Sequence, residues 1–192
     1  MIDTENFLQV EVTAVHQLRA WLTANHTQQE SIWLVTYKKH CADRYVSRSD
    51  VLDELLCFGW IDGVRRKLDL DRTMQLVGPR RTHHWAQSYK GRVAHLEHAG
   101  RMHPAGRAAI AAAQRTGLWD ADADVDALLM PEDLVAALVA HPPAHEQFAQ
   151  FAISYRRNVL RWITRAKTPA TRAKRIAQTA LLAAKHEKVP QL

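Results

Sequence analysis

Only two cysteines occur in the 192 residues, Cys41 and Cys57. Neither belongs to a CxxC pair or stands at metal-type spacing from a histidine pair, so a disulfide framework and a structural metal are both excluded as the organising device. The two thiols are read as reduced, Cys57 as buried. No apolar run approaches the roughly 20 residues that a membrane-spanning helix needs. The opening residues Met1-Ile2-Asp3-Thr4-Glu5-Asn6 lack the basic and apolar regions of a secretory signal peptide, which makes the cytoplasm the expected location. A P-loop, a dinucleotide fingerprint, a G-x-S-x-G elbow and an H-E-x-x-H pair are absent too. That removes the well-marked enzyme classes; no cofactor and no metal are expected, and the balance leans away from an enzyme. Internal repeats and low-complexity tracts are also missing.

What is present is the make-up of a globular protein, 47% hydrophobic and 24% charged, in a length that supports one substantial core. Residues 1–192 are therefore expected to form one domain, mixed α/β over 1–80 and helical over 81–192. Six tryptophans are many for this length, and such side chains sit where a core meets a pocket or an interface. The net charge of +6 is unevenly placed: residues 154–188 hold ten Lys and Arg against the single acid Glu187, and the remainder is slightly acidic. An anionic partner is worth considering for that basic segment.

Along the chain, Phe7–Val12 alternates as a short strand, and Thr13 is placed to cap a helix over 14–25. Ile32–Tyr37 is β-branched and aromatic throughout, the pattern of a buried strand. Ser47 and Asp50 fit a capping box that opens a helix ending at Gly59. Val64–Leu70 and Thr73–Val77 read as a hairpin with Val64, Leu68 and Leu70 on one side. From His84 onward the periodicity is helical, near 84–99, 104–116, 131–141, 143–152, 154–166 and 169–186, with Pro104, Pro131 and Pro169 in first turns. The fold class is α+β: a small N-terminal sheet with a hairpin, packed by helices, and a helical C-terminal half.

Three stretches are candidates for chemistry. Cys57-Phe58-Gly59-Trp60-Ile61-Asp62-Gly63 pins a tryptophan and an aspartate between glycines, which suits either a polar group aimed into a pocket or a core plug beside a turn. Gly78-Pro79-Arg80-Arg81, followed by Trp85, sets two guanidiniums on a rigid turn, suited to a carboxylate or phosphate or to an internal acid. Lys167-Thr168-Pro169 with Arg172 surrounds the start of a helix, where backbone amides favour an anion.

These pieces, with Lys38-Lys39 after Trp33, and with Trp21-Leu22, Gly100-Arg101-Met102, Ala105-Gly106, Pro131, Asp133-Leu134 and Ala166-Lys167 through Thr171-Arg172, resemble the YdeI/OmpD-associated, or bacteriocin-protection, family from about residue 7 to 186. The resemblance implies a bacterial stress or antimicrobial-resistance role and, through the porin association, an envelope context; it implies no reaction. Where the family reads W-S-x-x-N after the arginine turn, this chain has Trp85-Ala86-Gln87-Ser88-Tyr89, so a methyl and a phenol replace a hydroxyl and an amide.

Weaker signals take plainer readings. Asp120, Asp122, Asp124 and Asp126 alternate like an EF-hand opening, but Val125 stands where glycine belongs and Pro131 where glutamate belongs, so a solvated acidic loop is expected. His83, His84, His95, His98 and His103 are read as scattered surface residues. Arg157, Arg161 and Arg165 recur at i+4 opposite Val159, Leu160 and Ile163, the pattern of an amphipathic helix.

The leading expectation is a stress-protection protein that binds an anionic small molecule or protein partner through Lys38, Trp60, Asp62, Arg80, Arg81, Trp85, Lys167 and Arg172. The cations would hold the anion, the tryptophans would wall it, and Asp62 would orient a guanidinium or accept from the ligand. One alternative is non-specific nucleic-acid binding through Arg157, Arg161, Arg165, Lys174 and Arg175. The other is an enzyme that uses Asp62 as acid or base.

Overall fold

The computed structural model describes residues 7–81 and 84–190. They divide into two compact units, Met1–Asp120 and Ala121–Leu192.

The first unit runs β1 (Gln9–Glu11), α1 (Val15–Asn25), β2 (Ile32–Tyr37), α2 (Arg48–Cys57), β3 (Trp60–Lys67), β4 (Arg72–Pro79), α3 (Gln87–His98) and α4 (Pro104–Arg115). Its sheet has the order β1-β2-β4-β3. β1 lies parallel to β2, which requires a crossover, and α1 supplies it. Both neighbours of β4 are antiparallel to it. Every residue of β2 from Ile32 to Thr36 is buried, as its β-branched and aromatic run predicts for a strand covered on both faces. The core gathers Leu18 and Leu22 of α1, Leu55 and Leu56 of α2, and Trp60 and Trp85.

α2 starts as its sequence predicts. The Ser47 hydroxyl accepts from the Asp50 amide at 3.1 Å and donates to the Asp50 carboxylate at 2.7 Å. It stops at Gly59, whose φ of +73° suits glycine. A β-carbon there would also stand 2.7 Å from Ala109 Cβ, so α4 packs closely over this corner. α1 departs from expectation by one residue: its N-cap is Ala14, while the Thr13 amide and hydroxyl both turn to Gln17 Oε1.

The first hairpin strand lies earlier than the apolar alternation suggests, and the second extends past both of its expected ends. β3 begins at Trp60, and between the pairs Asp62–Val77 and Arg65–Gln75 it carries two residues, Gly63 and Val64, against the single Leu76 of β4. That extra residue is a β-bulge. The side expected from Val64, Leu68 and Leu70 therefore forms no apolar face: Val64 lies in the bulge and Leu70 in the connection, 50% and 79% exposed.

The second unit is helical: α5 (Ala123–Asp126), α6 (Glu132–Val139), α7 (Ala144–Gln150), α8 (Ile153–Thr164) and α9 (Pro169–Ala183). Leu134, Leu138, Phe148, Val159, Leu160, Ile163 and Ile176 are among its core residues. Thr168 caps α9 by accepting from the Thr171 amide at 3.1 Å, with Pro169 in the first turn. The acidic run read as a solvated loop is corrected here. It contains α5, and Asp122 is only 3% exposed, its charge compensated by Arg161 of α8 and by Arg165 at the C-cap of that helix. Among the described residues no helix is long and apolar enough to cross a membrane. A small sheet with a hairpin in the N-terminal half, followed by helices, is the α+β class expected from the sequence.

Candidate anion-binding site

Arg80 follows directly on β4, and its backbone amide donates to the Gly59 carbonyl at 2.9 Å, which ties the arginine turn to the end of α2. Its guanidinium lies over Trp85, 4.3 Å from the ring centre, and over Tyr89 at 5.3 Å. Nη1 donates to the His84 carbonyl at 3.1 Å. The remaining edge, Nε and Nη2, is buried and meets no acceptor among the described residues; the indole Nε1 of Trp85 is in the same state. Among the described residues no carboxylate pairs with Arg80, and burial acts against its charge, pushing its pKa down. Arg80, Arg81 and Trp85 line a cavity of about 70 Å³, with Ala109, Ala112 and Thr116 of the α4 region opposite. At about 30 Å³ per liquid water, that is room for two waters or one compact oxyanion group. Arg80 and Trp85, whose three buried donors meet no acceptor among the described residues, thus line a space of anion size.

Asp62 is linked to this group through Tyr89. The Tyr89 hydroxyl donates to Asp62 Oδ1 at 3.0 Å, and Gln75 Nε2 donates to Oδ2 at 3.3 Å. Burial and the charge of Asp62 push the Tyr89 pKa up, so the phenol stays a donor at neutral pH. The residue that departs from the family pattern therefore supplies a polar contact of its own. Trp60, by contrast, is 1% exposed, meets Trp21 edge-on at 5.5 Å and donates to the His26 carbonyl at 3.3 Å. It is packed in the core. Lys38 braces the β3–β4 connection through the carbonyls of Asp69 and Leu70 at 2.7 and 2.6 Å. Arg81 is exposed and donates to the backbone and side chain of Gln29.

In the second unit, Lys167 is exposed. Arg172 binds both oxygens of Asp133 at 2.7 and 2.8 Å and holds that carboxyl below the usual carboxylate range. A depressed carboxylate pKa stabilises above the ordinary value of about 3.9, and the contribution is lost as pH falls through the lower folded value. Arg172→Gln is expected to raise the Asp133 titration toward that ordinary value in a carboxyl-carbon NMR experiment; an unmoved titration would show that the pair does not form in solution.

The basic stripe has counter-ions within its own unit. Arg161 Nε and Arg165 Nη2 lie 3.3 and 3.1 Å from Asp122, and Arg157 Nε lies 3.4 Å from Asp126. Arg175 stacks over Trp162 at 4.8 Å and donates to its carbonyl, while Lys174 is exposed.

Sequence reasoning missed Arg48, Arg65 and Gln75, which share a cavity with Asp62; no motif marks them, and the bulge in β3 turns Asp62 and Arg65 to one side. It also missed the approach of His40, Cys41 and Asp71, whose ligand-type atoms lie within 4.8 Å of one another. The 3.0 Å hydrogen bond between His40 and Asp71 accounts for much of that approach. His95 and His98 are exposed, and His103 caps α4 by accepting from the Ala105 amide. His83 lies outside the described residues.

Two family models match the chain. Residues 10–109 match one described as a domain of unknown function (DUF8412), which takes in the GWID element and both arginines of the turn. Residues 127–186 match one described as "Bacteriocin-protection, YdeI or OmpD-Associated", which takes in Asp133, Lys167 and Arg172. Searches of curated proteins and of solved structures returned no match.

Proposed function

Because the chain belongs to the DUF8412 family through residues 10–109 and carries a YdeI/OmpD-associated domain at 127–186, we propose that it serves a bacteriocin- or antimicrobial-stress-protection role by binding an anionic ligand at Arg80. The observation that carries this reading is the set of three buried donors without an acceptor among the described residues, Arg80 Nε, Arg80 Nη2 and Trp85 Nε1, on two side chains that line one small cavity. A buried guanidinium edge without an acceptor is costly, and a carboxylate or phosphoryl group offers the two-pronged acceptor that relieves it. Trp85 and Tyr89 hold the guanidinium plane, and Asp62 holds Tyr89. The protective act in this reading is capture rather than turnover. Nucleic acid, the alternative, would have to displace Asp122 and Asp126 from Arg157, Arg161 and Arg165 before it could use the stripe.

The test is thermal unfolding of the full chain in rising inorganic phosphate or acetate at constant ionic strength. A saturable rise in Tm that disappears in Arg80→Gln supports the reading. The same rise in both proteins, or none in the unaltered one, overturns it and leaves the three donors to water.

A further inference from the structure

A second cavity of the first unit, about 270 Å³, is lined by Arg48, Val51 and Leu52 of α2, Asp62 and Arg65 of β3, and Gln75 of β4. In a regular strand, residues three apart face opposite sides, so Asp62 and Arg65 would not share a space. The bulge at Gly63-Val64 changes that. With the extra residue, Asp62 is paired with Val77 and Arg65 with Gln75, and Val77 and Gln75 are two apart on β4, on one side of the sheet. Bulges recur beside binding sites because they re-aim a side chain in this way.

The charges in the cavity are poorly matched to one another. Arg65 donates to neutral partners, Thr73 Oγ1 at 3.1 Å and Gln75 Oε1, and has no carboxylate in ion-pair contact among the described residues. Desolvation first, and then the charge of Arg48 on the same cavity wall, push its pKa down. Among the described residues, Asp62 likewise accepts from a phenol and an amide and from no cation. Gln75, 9% exposed, spends its own amide on Asp62 and the Gly63 carbonyl and locks the bulge. Two cations, one anion and two aliphatic side chains therefore converge, with a net charge of +1.

We propose that this cavity binds a small amino dicarboxylic acid. Its two carboxylates take Arg48 and Arg65, its ammonium takes Asp62, and its short carbon chain packs on Val51 and Leu52. Such a ligand carries a net charge of −1 and leaves no charge in the cavity unpaired, which is what a partly buried site requires. This site and the Arg80 pocket are different cavities, and Arg80→Gln tests the one while Arg48→Gln and Arg65→Gln test the other; Asp62 lines this site and reaches Arg80 through Tyr89.

The experiment is isothermal titration calorimetry of the full chain with L-glutamate and L-aspartate, alongside glutarate, which lacks the ammonium, and γ-aminobutyrate, which lacks one carboxylate. Saturable binding of at least one amino dicarboxylate is expected, with glutarate and γ-aminobutyrate at least tenfold weaker. Arg65→Gln should weaken it tenfold or more. So should Arg48→Gln, which changes an exposed side chain and keeps the test open if the Arg65 variant fails to fold. Asp62→Asn should bring glutamate and glutarate to equal affinity. Absence of saturable binding by both amino acids at millimolar concentration overturns the proposal. So does binding that both arginine variants leave unchanged.

Discussion

Trp60→Ala is expected to lower the unfolding free energy by about 4 kcal/mol, the usual cost of truncating a fully buried tryptophan. The side chain is 1% exposed, packs edge-on against Trp21 and spends its indole N–H on the His26 carbonyl. Truncation removes both interactions and opens a cavity that the β3 backbone, paired with β4, cannot close. Trp60→Phe keeps much of the volume and loses the hydrogen bond, so its cost should be about 1–2 kcal/mol. Urea unfolding followed by circular dichroism reads both. If Trp60→Ala cost less than about 1 kcal/mol, Trp60 would be free of the core, and its role as a pocket wall would return.

Glu54→Ala is expected to cost about 3 kcal/mol. Glu54 is 2% exposed, and its two oxygens accept from Arg19 Nη1 and Arg101 Nη2, each at 2.8 Å. Arg19 also donates to the Arg101 carbonyl at 2.7 Å, so the carboxylate joins α1, α2 and the start of the α3–α4 connection. Breaking a buried pair by removing one partner commonly costs about 3–5 kcal/mol. The lower end applies because both arginines are 39% exposed and water screens them once the carboxylate is gone. Glu54→Gln keeps an acceptor for one arginine and should cost less than the alanine variant. Equal losses from the two would mean that shape, not charge, holds this corner.

Much of the fold was legible because its signals are local. The Ser47 cap, the stop at Gly59, the Thr168-Pro169 start and the buried run of β2 each depend on residues a few positions apart. The site was legible only in pieces. Arg80, Trp85 and Asp62 stood out by composition, and the structure sets Arg80 over Trp85 and reaches Asp62 through Tyr89. Trp60 stood out equally and is core, since a tryptophan between glycines has the same sequence whether it faces a pocket or the interior. The arginine stripe of α8 was correctly periodic, but its meaning changed once Asp122 and Asp126 met it.

By itself, then, the sequence determined the class of fold, most element positions, the amphipathic faces and the family resemblance. These follow from propensity, capping and period, which act within a few residues. The tertiary structure alone decided which charges are neutralised and which are left facing a cavity. It paired Glu54 with Arg19 and Arg101, and Asp122 with Arg161 and Arg165, and left the Arg80 edge without an acceptor among the described residues. It also placed the bulge that turns Asp62 and Arg65 to one side. Charge compensation and strand register depend on partners ten to fifty positions away, and no local pattern encodes that distance.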